Sequence, residues 1–297
     1  MITLDFAINA ISLGSTYALL ALGMVIVYGI LKLVNFAYGE LIMITGYSLF
    51  VLALGPKLPW IVLAVLAVGV AVLTSYLTER IAFRPVRENS LTAMLITSFA
   101  VSTLLQNAAL LIISPRARAV PLPDVFSESA VILGQSVPIR NLLAIGTSIV
   151  LLLLLVVLLR RTVLGIALRA ASDNFRMTRM LGVPANLVIS AAFAISGFLA
   201  GVVGLFWVGR TASVTPTIGA APLLVAFVAT VIGGMRSLEG AVVGGYVYGI
   251  VFSLIGVLLP QALLEFREAF MFVIVILILL FRPEGLVRGT GSARKVG

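Results

Sequence analysis

Nine apolar runs, most of them joined by short connections, leave this 297-residue chain little choice of fold. They cover residues 8–31, 36–54, 60–83, 91–113, 142–159, 187–208, 222–232, 241–259 and 269–281. A helix needs about 20 apolar residues to cross about 30 Å of hydrocarbon, and it satisfies its own backbone there without outside partners. The runs therefore predict an all-α, polytopic transmembrane helical bundle with eight or nine membrane segments, the second and seventh being the weakest as full crossings. The whole of 1–297 reads as one membrane domain, with the lipid bilayer as its first partner. Charged residues make up only 10% of the chain and hydrophobic ones 61%, whereas a soluble domain carries about 25% charged residues. No basic stretch precedes the first run, so that run is expected to stay as a span and not to act as a removable leader.

The residues that are missing narrow the function. With no Cys and no His, the chain lacks thiolate chemistry and the commonest general base and metal ligand. No Walker A pattern, dinucleotide glycine fingerprint or nucleophile elbow occurs. The expectation is therefore no enzyme, no catalytic residue, no cofactor and no metal, with any ATP handled by another chain. A net charge of +9 does not imply nucleic acid here, because the basic residues flank apolar spans, where they set orientation. Arg80, Arg84 and Arg87 follow the third run, residues 160–179 follow the fifth, and Arg282, Arg288, Arg294 and Lys295 follow the last. Counted alternately, all three groups fall on one side, which positive charge marks as cytoplasmic. Nine spans would put the N-terminus outside and the C-terminus inside. Segment 114–140, with mixed charge and Pro121, Pro123 and Pro138, reads as an ordered external loop.

Two places break the apolar rhythm in a related way. Around 28–47, Gly29, Lys32, Asn35, Gly39 and Glu40 interrupt helical runs; around 232–249, Gly233, Gly234, Arg236, Ser237, Glu239 and Gly240 do the same. Each is helix, glycine turn, basic residue, acid and small-residue helix, the pattern of two related halves with broken helices. Asn35 and Ser237 stand where N-caps belong, each followed by an acid near the positive end of a helix. An interfacial helix start and a deeper turn facing a passing solute both fit this spacing. In the fourth run Ser98, Ser102, Thr103, Gln106 and Asn107 must face protein or water, as interhelical bonds or as a lining. Asn35, Tyr38, Gly39, Glu40, Ser98, Gln106, Asn107, Gly233, Gly234, Arg236, Glu239 and Gly240 form the candidate translocation path. The small-residue pairs 197/201, 240/244 and 245/249 suit close helix contact.

The longest polar interruption, 162–186, reads TVLGIALRAASDNFRMTRMLGVPAN. Arg169, Arg176 and Arg179 alternate with apolar Leu164, Ile166, Leu168, Met177, Met180 and Leu181, and Gly182 and Pro184 stop the helix. A solvated loop has no need of Met and Leu on one face. A short amphipathic helix pinned between two spans suits a groove on a soluble partner, and a push on it moves those spans.

Several ordered blocks resemble the permeases of branched-chain amino acid ABC transporters, specifically the H-type subunit. They are NFAYGELIMITGY (35–47), LGIALRAASDNFRMTRMLGV (164–183), TPTIG (215–219), VIGGMRSLEGAVVGG (231–245) and FRPEGL (281–286), so the likeness covers nearly the whole chain. The resemblance implies an importer subunit in a bacterial-type cytoplasmic membrane. Its partners would be two ATP-binding cassette subunits, a second similar permease and an external solute-binding protein. It also implies that the cytoplasmic loop contacts the cassette, a role that carries over to Ala170, Ala171, Met177, Leu181 and Gly182. Arg169, Ser172, Arg176 and Met180 complete the expected coupling segment. The glycine breaks carry over to Gly39, Gly46, Gly233, Gly234, Gly240 and Gly245, and Glu40 matches the family's acid. Tyr38 stands where the family often has His, and Arg236 and Glu239 occupy a turn that is usually uncharged. The cargo expected is a branched-chain or other hydrophobic amino acid. Urea, a short amide or another amino acid is the alternative, and a stand-alone secondary transporter or channel is the rival class.

Overall fold

The computed structural model describes residues 4–55, 58–87, 90–132, 135–235 and 237–287. Ten α-helices carry the fold: α1 (Leu4–Leu31), α2 (Glu40–Ala53), α3 (Trp60–Thr78), α4 (Leu91–Ile112), α5 (Ile139–Arg161), α6 (Val163–Met180), α7 (Ala185–Thr211), α8 (Ala220–Gly233), α9 (Leu238–Leu258) and α10 (Arg267–Phe281). Among the described residues seven helical stretches are long and apolar enough to cross a membrane. The expected runs all appear as helices, but α8 has only 14 residues and α10 only 15. The second run also begins with a separate 3-10 turn, Phe36–Tyr38, before the 14 residues of α2.

Helix α1 is the axis. It is apolar on every side and buried along almost its whole length, as a helix without a polar face must be. It packs against α5, α7, α8 and α9. Against α9 the backbones touch: a Cβ on Gly245 would lie 2.3 Å from the Ala18 nitrogen, and one on Gly249 2.4 Å from the Gly14 nitrogen. The two helices therefore run antiparallel at a distance that only small residues permit. Gly197 and Gly201 likewise bring α7 against Ser75 and Ala71 of α3, though less tightly, and the Ser75 hydroxyl donates to the Phe193 carbonyl at 2.6 Å. The small-residue pairs thus serve close packing, as their spacing suggests.

The two ends of the bundle differ. At one end Arg87 bonds Asn186, the Lys32 ammonium donates to the Ser172 carbonyl at 2.9 Å, Arg160 stands 3.5 Å from Glu239, and the Leu286 amide donates to Ile232 at 2.8 Å. The segments after the third and fifth runs and the start of the one after the last run therefore share this end, while Arg288, Arg294 and Lys295 lie outside the described residues. At the opposite end 114–140 is folded: β1 (Arg118–Ala119) pairs antiparallel with β4 (Ser213–Val214), and β2 (Ser129–Ile132) pairs with β3 (Gln135–Pro138). Phe126 anchors this cap, buried against Trp60 at 4.9 Å between centroids and filling the space left by Gly209.

Candidate functional site

Two regions gather the candidate residues: the break before α2 with the polar stripe of α4, and the elbow formed by α6.

At the first break, Lys32 leaves α1 with φ 56°, and Asn35 caps the following turn by accepting from the Ala37 amide at 3.1 Å. Tyr38 then turns inward, 1% exposed, and its hydroxyl donates to the Leu20 carbonyl at 3.1 Å, about mid-height on α1. Gly23 leaves the room for that phenol, since a Cβ there would lie 2.2 Å from its oxygen. Gly39 meets Gly219, the residue before α8, backbone to backbone: a Cβ on Gly39 would lie 2.4 Å from the Gly219 carbonyl oxygen. Glu40 starts α2 inside the protein at 1% exposure. Its Oε1 accepts from Ser102 at 2.9 Å and from Gln106 Nε2 at 2.7 Å, one turn apart on α4, while Oε2 has no partner among the described residues. Ser98 is fully buried and donates to its own helix at Leu95, and Asn107 is exposed and bonds Thr103.

The second break shares the recipe and differs in facing. Gly234 takes φ 111°, a backbone that favours glycine, and Ser237 caps α9 by accepting from the Gly240 amide at 2.9 Å. Gly233 and Gly240 touch as closely as the other glycine pair: a Cβ on Gly233 would lie 1.9 Å from the Gly240 oxygen. Glu239, however, points outward, its side chain 79% exposed and 3.5 Å from Arg160, itself 66% exposed. Arg236 lies outside the described residues. The structure therefore brings Asn35, Tyr38, Gly39, Glu40 and Gln106 together, and Gly233, Gly234 and Gly240 together, but leaves Glu239 and Asn107 apart from both clusters.

Helix α6 is two helices in one. Thr162 caps it by accepting from the Gly165 amide at 3.0 Å, and Asn174 breaks it with φ −150° and ψ 93°. The Asn174 side chain then accepts from the Met177 amide at 3.1 Å, so it caps the second piece. Gly182, at φ 84°, ends that piece: its amide donates to Arg179 and that of Val183 to Thr178, the paired bonds of a Schellman stop. The first piece is seated. Leu168 and Ala171 are buried, Ser172 fits against Gly29, and Gly165 lies flush on the last turn of α5. The second piece is bare on one side, with Met177 58%, Met180 69% and Leu181 83% exposed. Beneath it is a cavity of about 730 Å³, bordered by Ile30, Leu31, Met94, Phe175, Arg179 and Ile189. Arg169 and Ala170 are exposed on the first piece, and the side chain of Arg176 lies outside the described residues. Ala171 is at 1% exposure and so belongs to the seat, not the bare face. Beside the elbow, Arg87 bonds Asn186 at the start of α7 and lies 3.6 Å from the fully buried Glu79, joining the end of the third span to α7.

Sequence reasoning missed three things here. The i, i+4 spacing of Ser102 and Gln106 puts both on one helix face and was the available signal for the Glu40 cradle. Gly219 as the seat of Gly39, 180 residues away, left no local sign. The Asn174 break was legible only as an Asn inside a helical run. Among the described residues no three metal-ligating side chains converge.

Comparison with known proteins places this arrangement. Residues 6–281 match the family model described as "Branched-chain amino acid transport system / permease component". The chain is 33% identical to the high-affinity branched-chain amino acid transport system permease protein BraD of Pseudomonas aeruginosa, over 97% of this chain and 96% of the relative. It is 32% identical to the corresponding protein LivH of Escherichia coli K12 over the same shares. It is 30% identical to a probable LivH of Methanocaldococcus jannaschii, over 94% of this chain and 90% of that one. A multi-pass helical bundle whose sequence matches these permeases along nearly its full length belongs to the family of branched-chain amino acid transport permease components.

Proposed function

We propose that this chain is the membrane-spanning permease subunit of an ATP-binding cassette importer, moving branched-chain or other hydrophobic amino acids handed over by an external solute-binding protein. Two cassette ATPases and a second, similar permease complete the assembly, and the basic end of the bundle faces the cytosol. The observation that carries this reading is the α6 elbow: an apolar, exposed second piece, broken from its seated first piece at Asn174 and lying over a cavity. A bare apolar face on a short helix is a ligand for a groove. Its seat transmits force, because Gly165 ties its first piece to the end of α5 and the turn at 182–184 joins its second piece directly to α7. Cassette closure moves the second piece, α5 and α7 tilt with it, and the path opens on the other side.

The chain's own contribution is therefore passage and gearing, while selection of the cargo belongs to the binding protein. The test is reconstitution. Vesicles with the permease pair, the cassettes, ATP and loaded binding protein accumulate radiolabelled leucine, and vesicles with this chain alone do not. ATP-independent leucine uptake by the chain alone would make it a secondary transporter or channel. A binding protein loaded only with urea or a short amide would change the cargo and leave the machine.

A further inference from the structure

We propose that the outer face of α4 is where this chain meets the second permease, helix against helix inside the membrane, with Asn107 as the polar tie. The inference rests on the paired assembly proposed above and adds the surface through which the pair is made. Of the seven candidate spans, α4 is the least buried by its own chain and the second least apolar. That is the reverse of what a lipid-facing helix needs. The next most exposed span, α5, is the most apolar of the seven, and it turns Ile149, Val150, Leu153 and Leu154 outward. Outside the first and last five residues of each span, Thr103 and Asn107 are the only exposed polar side chains among the described residues. Hydrocarbon offers them no partner, so protein or water covers them.

Their spacing decides between the two. Ile96, Ala100, Thr103, Asn107 and Leu110 are all exposed and follow one another at steps of four, three, four and three, the seam of a left-handed helix pair. At about 100° per residue these five fall within about 40° of one line along the helix. The buried Met94, Ser98 and Ala109 lie on the opposite side, where Ser102 and Gln106 hold Glu40. Helix α4 thus grips its own bundle with one face and shows the other whole. Ala100 and Thr103 at the centre of the seam are small enough for close approach. An Asn amide offers two donor hydrogens and an acceptor oxygen. Asn107 uses one hydrogen on the Thr103 carbonyl of its own helix, at 2.8 Å, which leaves a donor and an acceptor to match a polar side chain on a facing helix. A wall for water would be polar along its length, whereas Ile96, Ala100 and Leu110 share this line and Phe99 and Leu104 flank it. Depth then fixes the partner. Thr103 stands near the middle of a 22-residue span, out of reach of a cassette on one side or a binding protein on the other, so the facing helix belongs to a membrane subunit.

Two measurements on the assembled transporter test this. The first is contact mapping. A benzophenone amino acid replaces Leu104 or Leu111, which flank the seam, or Leu153 or Leu154 on α5. Under ultraviolet light the α4 positions are expected to form adducts with the second permease and the α5 positions adducts with phospholipid, read by mass. Phospholipid adducts from both helices would overturn the proposal. Because the chain has no Cys, Asn107→Cys supplies a unique thiol on it, which is expected to stay unlabelled by a membrane-impermeant maleimide added to either side. Full labelling would overturn the proposal and give this face to a water-filled path.

The second is the strength of pairing. Asn107→Leu is expected to weaken association of the two permeases in detergent about five-fold, the scale of one interhelical hydrogen bond in a membrane protein. Ala100→Phe, which wedges the seam apart, is expected to weaken it further. On a lipid-facing helix neither change would touch association, and that result in both variants would sink the proposal. Wild-type permeases that do not associate at all would refute the paired assembly itself. Permeases that associate while α4 reaches only lipid would refute this surface and leave the pairing in place.

Discussion

The two glycine breaks begin from nearly the same recipe and end with their acids facing opposite ways. Both seat a glycine against another glycine's backbone, Gly39 on Gly219 and Gly233 on Gly240. Both cap the following turn or helix with a short polar side chain, Asn35 or Ser237. Both place an acid in the first turn, where the helix dipole favours it. Yet Glu40 is 1% exposed and held by α4, while Glu239 stands in the open beside Arg160. The difference comes from the neighbour. The first break has a polar stripe on α4 to receive its acid, and the second has only the exposed Arg160. A paired sequence pattern reports a shared backbone device and leaves the job of the side chains to tertiary context.

The largest effects should come from what the breaks share. Gly39→Val and Gly233→Val each drive a side chain into a backbone carbonyl, so each is expected to lose about 3 kcal/mol or more, read as a lower melting temperature of purified protein. A large loss at one site alone would show that the two glycine contacts are not equivalent. Next come the acids. Glu40→Ala strands Gln106 and Ser102 and is expected to destabilise by about 2 kcal/mol, measured by thermal unfolding in detergent. Glu239→Ala removes one partner of an exposed pair, 79% and 66% exposed, and is expected to change stability by less than ~0.5 kcal/mol. Arg160→Ala should match Glu239→Ala, and the double variant should add nothing beyond the two singles. Equal losses at Glu40 and Glu239 would break the comparison.

Much of this was legible in the chain. The spans were, because a lipid-facing or core helix is written as one unbroken apolar run; Trp60–Thr78 and Leu91–Ile112 appear almost as read. The caps were legible too, since Asn35 and Ser237 act on amides two and three residues away. What was hidden depends on residues far apart in sequence: Gly219 beneath Gly39, Gln106 on Glu40, Arg160 beside Glu239. The elbow stood between. Its apolar face and its Gly182 stop were visible, but Ala171, expected in the coupling segment from the resemblance, is buried, because the first piece of α6 lies down on the bundle before the break at Asn174.

The claim on which the rest depends is that force enters through the second piece of α6. Met180→Asp with Leu181→Asp places two charges on its exposed apolar face, at positions 69% and 83% exposed, where folding does not need them. The direct measurement is binding-protein-stimulated ATPase and leucine uptake of the assembled transporter carrying both substitutions. The expected result is loss of both by about ten-fold or more, with the permease pair still folded and paired. Stimulation and uptake equal to wild type would contradict it.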